Sequence, residues 1–131
     1  MRLWHQDLIT KLPRQQLLGQ HRECAALRGR GWGKKHAVVN YVFDYNPAYL
    51  VAYHILVMDE MQRRGYRPDP TWSNSNWRGT TLGETANWVD EELVRKLVEK
   101  GREHITLYDE HNSAYYKECI DNLKGKGIII E

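Results

Sequence analysis

The most constraining stretch of this 131-residue chain is PAYLVAYHILVM, from Pro47 to Met58. Asn46 just before it offers a side-chain oxygen for capping a helix, and Pro47 suits the first turn, where no N–H is needed. Nothing breaks a helix from there to about Arg64, and Gly65 is a natural stop. The first three turns are apolar nearly all round. Such a helix has to be enclosed by other elements, so the chain is predicted to pack as a bundle around it. His54 within it reads as a hydrogen-bonded core histidine rather than a ligand.

A second helix is predicted from Pro13 to about Leu27, with Pro13 at its first position. Leu17, Leu18, His21, Cys24 and Ala25 share one side at helical spacing and are expected to face inward. Gln16, Gln20, Glu23, Leu27 and Arg30 form a second stripe, which puts Glu23 beside the buried face. Glycines 29, 31 and 33 then end the helix, each costing about 1 kcal/mol in a helix interior. Arg28 to Lys35 becomes a Gly-rich basic loop. It lacks the GxxxxGK[ST] spacing of a phosphate-binding P-loop.

Residues 1–12 read as a short lead running back across the fold, anchored by Trp4, Leu8, Ile9 and Leu12. His36 to Phe43 is extended or helical, and Arg67 to Asn87 is a long polar connection carrying Trp72 and Trp77. Asp90 to Lys100 reads as an amphipathic helix with Leu93, Leu97 and Val98 inward and Gly101 as its stop. Asn112 or Ser113 caps a last helix to about Lys124, with Tyr115, Cys119, Ile120 and Leu123 in the core. The expected fold is mainly α: one compact domain over residues 1–131, a bundle of three to four helices with the N-terminal segment lying across them.

Charge narrows the function. Residues 1–40 hold eight Lys/Arg against two Asp/Glu, whereas the remainder holds eleven against fifteen. A basic half is the footprint of a polyanion binder; the plain alternative is a solvated face. Glu23 stands alone among Arg14, Arg22, Arg28, Arg30, Lys34 and Lys35, and that isolation calls for an explanation. Cys24 and Cys119 form no CxxC and are expected as buried thiols. The histidines at 5, 21, 36, 54, 104 and 111 show no ligand spacing, so neither metal nor cofactor is expected. No apolar run approaches the roughly 18 residues that span a bilayer. The start, MRLWHQDL, is too polar for a secretory signal, which gives the expectation of a cytoplasmic protein with no membrane partner.

A helix carrying Gln15, Leu17, Leu18, Gly19, His21, Arg22 and Glu23, followed by Lys34-Lys35-His36, resembles the phage-type pyrimidine-dimer DNA glycosylases. A weaker match follows in Ala52 to Asp69, whose ending MQRRGYRPD resembles that family's second helix and its exit. The resemblance covers roughly the first half of the chain, and the Arg-Glu pair about twenty residues from the start is its most specific element. It implies an all-helical domain acting on damaged double-stranded DNA by base excision with abasic-site lyase activity. It also implies that a terminal α-amine attacks the sugar carbon bearing the damaged base. Here Glu23 would be the acid and Arg22 a backbone-binding residue.

The family presents Thr after removal of Met, whereas this chain has Arg2 after Met1. Initiator methionine is usually kept before so large a side chain, so the reactive amine is assigned to Met1. An α-amine has an ordinary pKa near 7.7–8.0 and needs little help to act as a nucleophile near neutrality. Arg2, Arg14, Arg22, Arg30, Lys34, Lys35 and His36 are the candidate DNA-binding residues, as phosphate contacts that position a duplex without reading its sequence. Trp72 and Trp77 are candidates for stacking on bases, or else for pinning their loop to the core. The competing readings are a noncatalytic nucleic-acid-binding domain, an RNA-acting enzyme, and a small-molecule enzyme using the Trp loop. For Glu23 the bland reading is a surface ion pair worth about 0–1 kcal/mol.

Overall fold

The computed structural model describes residues 2–35 and 38–130. Among them are four α-helices and no strand: α1 (Arg14–Arg28), α2 (Pro47–Arg63), α3 (Glu91–Arg102) and α4 (Ser113–Gly125). Short 3-10 turns lie at Gln6–Leu8, Asn40–Asp44 and Pro70–Ser73. Among the described residues no helix is long and apolar enough to cross a membrane.

The apolar helix is central, as its composition demands. Asn46 accepts from the Ala48 N–H at 2.9 Å, and α2 buries residues on every side, from Ala48 and Leu50 to Glu60 and Met61. It packs against both α1 and α3. Truncating one of its leucines, such as Leu50, to Ala would cost about 2–5 kcal/mol on the usual core scale.

Three expectations need correction. Pro13 is the cap residue of α1 rather than its first helical residue. Gly101 does not stop α3: it lies inside the helix and is buried, and a Cβ there would come within 2.5 Å of Leu56 Cδ1. The missing side chain makes room for Leu56 of α2 against α3. The buried arc of α1 is also rotated from the predicted one. It consists of Leu17, Gln20, Cys24, Leu27 and Arg28, whereas Leu18, His21 and Ala25 are only half-buried. Hydrophobic periodicity misplaced this arc because two of its members are polar, each buried against hydrogen-bonding partners described below.

The lead crosses the bundle as expected, with Leu3, Trp4, Leu8, Ile9 and Leu12 in the core. Residues 3–6 touch α1, α2, α4 and the turn before α4: Gln6 donates to the Ile105 carbonyl and accepts from the Leu107 N–H, both at 2.8 Å. His111 Nδ1 accepts from the Gln6 N–H at 3.0 Å. That leaves its proton on Nε2, 2.8 Å from the Tyr41 hydroxyl. Burial is the main reason His111 is pushed down to about 3, with the neighbouring His5 acting in the same direction. Cys24 and Cys119 are buried free thiols.

Candidate active site and nucleic-acid face

α1 builds the site because its two flanks border two different clefts. On one flank Gln16, Gly19, Gln20 and Glu23 wall a cleft of about 360 Å³, closed by Arg2 and Trp4 from the lead and by Asn122 and Lys126 from the end of α4. Three of these α1 residues, Gln16, Gln20 and Glu23, belong to the second stripe read from the sequence. One carboxylate oxygen of Glu23 is shut off from solvent. Two cations, Arg2 and Lys126, line the same cleft. The Arg2 guanidinium lies 5.5 Å from the Trp4 ring and 5.9 Å from that of Tyr115, and Lys126 Nζ lies 5.6 Å from Trp4. Aromatic faces hold both cations without neutralising them.

The other flank leads to the Trp loop. Ala25, Ala26, Gly29, Arg30 and Gly31 face Trp72, Trp77 and Arg78 across a cleft of about 420 Å³. Arg22, exposed, sits on the outer face of α1 between the two clefts, roughly a quarter of a turn round from Glu23. Lys34 and Lys35 are exposed beyond the helix end. The basic loop is nonetheless anchored, since Trp32 packs edge-on against Phe43 at 5.0 Å and Trp88 at 5.8 Å. Arg14 is exposed at the other end of α1, 5.4 Å from the Tyr66 ring. The structure therefore gathers Arg2 with Glu23, and Arg30 with the tryptophans, while Arg14 stands apart from both. Met1 and His36 lie outside the described residues.

Arg28, counted in the sequence among the loop's basic residues, is fully buried and has a different task. Its Nη1 donates to the Trp72 carbonyl and to His54 Nδ1, each at 3.0 Å. Nη2 donates to the carbonyls of Asn74 at 2.8 Å and Trp77 at 3.0 Å. No carboxylate is among these partners, and burial pushes Arg28 down to about 10. Because guanidinium can only donate, His54 Nδ1 must accept, so its proton is on Nε2, 2.8 Å from His21 Nδ1. Desolvation first, then the charge of Arg28, holds His54 well below the usual histidine range. Arg78 donates to the carbonyls of Arg28 at 2.8 Å and Gly29 at 3.3 Å, where α1 ends, and stacks 4.3 Å from Trp88. Trp72 and Trp77 are half-buried and both line the cleft; the loop is pinned through its main chain and also by the Trp72 ring, which lies 5.0 Å from the Arg28 guanidinium and 5.5 Å from the His54 ring.

Sequence reasoning missed Gln16, Gln20, Asn122 and Lys126 as cleft residues. For Lys126 a signal existed in the basic LKGKG ending; for Asn122 none did. A larger hollow of about 570 Å³ lies between the lead, α2 and α3. Within it Asp59 pairs with Arg102 at 2.9 Å, and it touches none of the predicted site residues. Among the described residues no three His, Cys, Asp or Glu gather in a metal-holding group.

The fold is thus an all-helical domain in which Glu23 shares a cleft with Arg2 and Lys126 and α1 turns basic side chains outward. The sequence model for pyrimidine dimer DNA glycosylase matches residues 1–74, more than half the chain, and the protein belongs to that family. No curated protein and no solved structure gives a significant match.

Proposed function

We propose that the protein is a base-excision glycosylase with abasic-site lyase activity on damaged double-stranded DNA. The α-amine of Met1 is its nucleophile and Glu23 its acid. The observation that carries this reading is that Arg2, the residue bonded to Met1, lines one cleft with Glu23. The covalent link keeps the Met1 Cα within about 3.8 Å of that of Arg2. The amine nitrogen bonds to the sugar C1′ as the bond from C1′ to the base breaks, and Glu23 supplies a proton to the departing base. The nitrogen then sheds a proton and its lone pair opens the sugar ring, breaking the C1′–O4′ bond as O4′ takes up that proton to become a hydroxyl and C1′ becomes a protonated imine. The resulting imine makes the adjacent C2′ proton acidic. Loss of that proton expels the 3′ phosphate, and water then hydrolyses the imine to release the enzyme.

Arg2, Arg22, Arg30, Lys34, Lys35 and His36 are assigned to phosphates, with Arg14 at the edge of the footprint. Trp72 and Trp77 are assigned to stacking on an unpaired base, which fits their half-exposed indoles beside Arg30. The test is borohydride reduction in the presence of an abasic duplex, followed by peptide mass mapping. A covalent complex on Met1 is expected, and Glu23→Gln should lower base release by about two to four orders of magnitude while the duplex still binds. Salt-dependent binding without trapping would instead identify a noncatalytic binder, and trapping on an internal lysine would move the nucleophile.

A further inference from the structure

The lead between Arg2 and Trp4 is neither helix nor strand, yet Leu3 and Trp4 are buried. Main-chain groups in such a place need partners, and here side chains from three helices supply them. Gln20 on α1 donates from Nε2 to the Arg2 carbonyl at 3.0 Å, and its Oε1 accepts from the Trp4 N–H at 2.7 Å. Tyr53 on α2 donates to the Trp4 carbonyl at 2.6 Å, with Gln20 Oε1 2.9 Å from the same hydroxyl. Tyr115 on α4 donates to the Leu3 carbonyl at 2.6 Å. We infer that Gln20, Tyr53 and Tyr115 are positioning residues that fix the register of residues 2–4 and so present the terminal amine at the Glu23 cleft.

The inference rests on the amine-nucleophile reading and deepens it. Apolar anchors alone would bury the lead, but they tolerate sliding, because hydrophobic contact is not directional. Four directional bonds do not: shifting the lead by one residue would carry these carbonyls and the Trp4 N–H away from their partners. Gln20 is 2% exposed and Tyr53 fully buried, so neither is held in place by solvent. Gln20 also lines the cleft beside Glu23, one turn earlier on the same helix. One side chain thus sets both the main chain next to the nucleophile and the wall beside the acid. A displacement of about 1 Å in a reacting group can cost 10²-fold, so a clamp of this kind acts on rate rather than affinity.

The test compares full-length wild type, Gln20→Met, Tyr115→Phe and, as a destabilised control remote from the cleft, Leu97→Ala. Borohydride trapping is measured against abasic-duplex concentration. The expected result is a maximal trapping rate about 10–100-fold lower in Gln20→Met and a few-fold lower in Tyr115→Phe, with half-saturation nearly unchanged. Leu97→Ala should trap at the wild-type rate at a temperature where all four are folded. Aminopeptidase should trim Gln20→Met faster than wild type at equal helix content. Wild-type rates in both clamp variants, or losses that simply follow melting temperature across all three, would overturn the inference. A wild type that never traps removes the lyase reading; the aminopeptidase arm then decides the clamp, which falls if folded wild type is trimmed as fast as Gln20→Met.

Discussion

Replacing Arg28 with Met should detach the Trp loop and leave the bundle standing. The methionine keeps the apolar stem but removes donors to four acceptors: the carbonyls of Trp72, Asn74 and Trp77, and His54 Nδ1. A buried acceptor without a donor costs about 1–3 kcal/mol, which would sum to roughly 4–12. Two effects reduce that sum. The loop can lift and give its carbonyls to water, and a cation that lacks a carboxylate no longer has to be desolvated. The net expectation is about 3–4 kcal/mol, and at a few degrees per kcal/mol in a domain of this size the melting temperature falls by roughly 10–15 °C. Arg28→Lys should cost nearly as much, since an ammonium cannot fork across three carbonyls. Thermal unfolding gives the magnitude, and limited proteolysis locates the change, with new cleavage expected between residues 70 and 88. A variant melting within about 2 °C of wild type, its loop still protected, would refute the claim that Arg28 holds the loop.

Other consequences follow from the same geometry. Arg22→Ala, and Lys34→Ala with Lys35→Ala, should weaken binding to all duplexes alike and flatten the log K against log salt slope by about one unit per lost contact; unchanged slopes would place the basic face away from DNA. Trp72→Ala and Trp77→Ala should each lose about 1–3 kcal/mol of binding to duplexes with an unpaired base, Trp77→Ala with little loss of stability and Trp72→Ala with some, because its ring packs on Arg28 and His54; unfolding of both variants, or unchanged affinity for the unpaired base, would refute the stacking role. Stability should be lost in acid. His54 and His111 accept hydrogen bonds through unprotonated Nδ1, and their folded pKa values lie below the ordinary 6.5. The unfolded chain therefore binds more protons below about pH 6.5: stability is full above that value and declines as pH falls. His111 alone, at about 3 in the fold, contributes roughly 2 kcal/mol of loss by about pH 5. Equilibrium unfolding at about pH 7.5 and 5 measures it, and equal stabilities would contradict the tautomers assigned here.

What the sequence conveyed depended on whether a residue's neighbours were local. The cap at Asn46, the all-round apolar α2, the anchors of the lead and the cap at Asn112 follow from short-range rules, and each is present. Gly101 was misread because a glycine that lets two helices touch looks the same, in one dimension, as a glycine that ends one. The buried arc of α1 was misread because periodicity counts Gln and Arg as outward. Gln20 and Arg28 point inward only because non-helical main chain, up to 49 residues distant in sequence, waits there with unpaired groups. The family resemblance marked Glu23 and Arg22, but Lys126 and Asn122 reach the cleft from α4, which lies beyond the matched residues 1–74.

These two buried polar residues also explain how a small helical bundle carries a site made largely of irregular chain. Gln20 and Arg28 lie eight residues, or about 12 Å, apart on α1. Gln20 grips main-chain groups of residues 2 and 4; Arg28 grips those of residues 72, 74 and 77. Each gripped segment borders one cleft, and Arg22 and Glu23 lie between the two grips in sequence, turned toward the outer face and the cleft wall. Irregular segments supply varied side chains but hold position poorly unless a rigid element fixes them. Donors and acceptors fixed on a packed helix do that at the main chain, leaving Arg2, Trp72 and Trp77 to face the clefts. If so, Gln20→Met and Arg28→Met should be separable, the first slowing chemistry with DNA binding intact, the second loosening the Trp loop with the terminus still clamped. Energies that failed to add between sites so far apart would show instead that α1 shifts as a whole when either grip is lost.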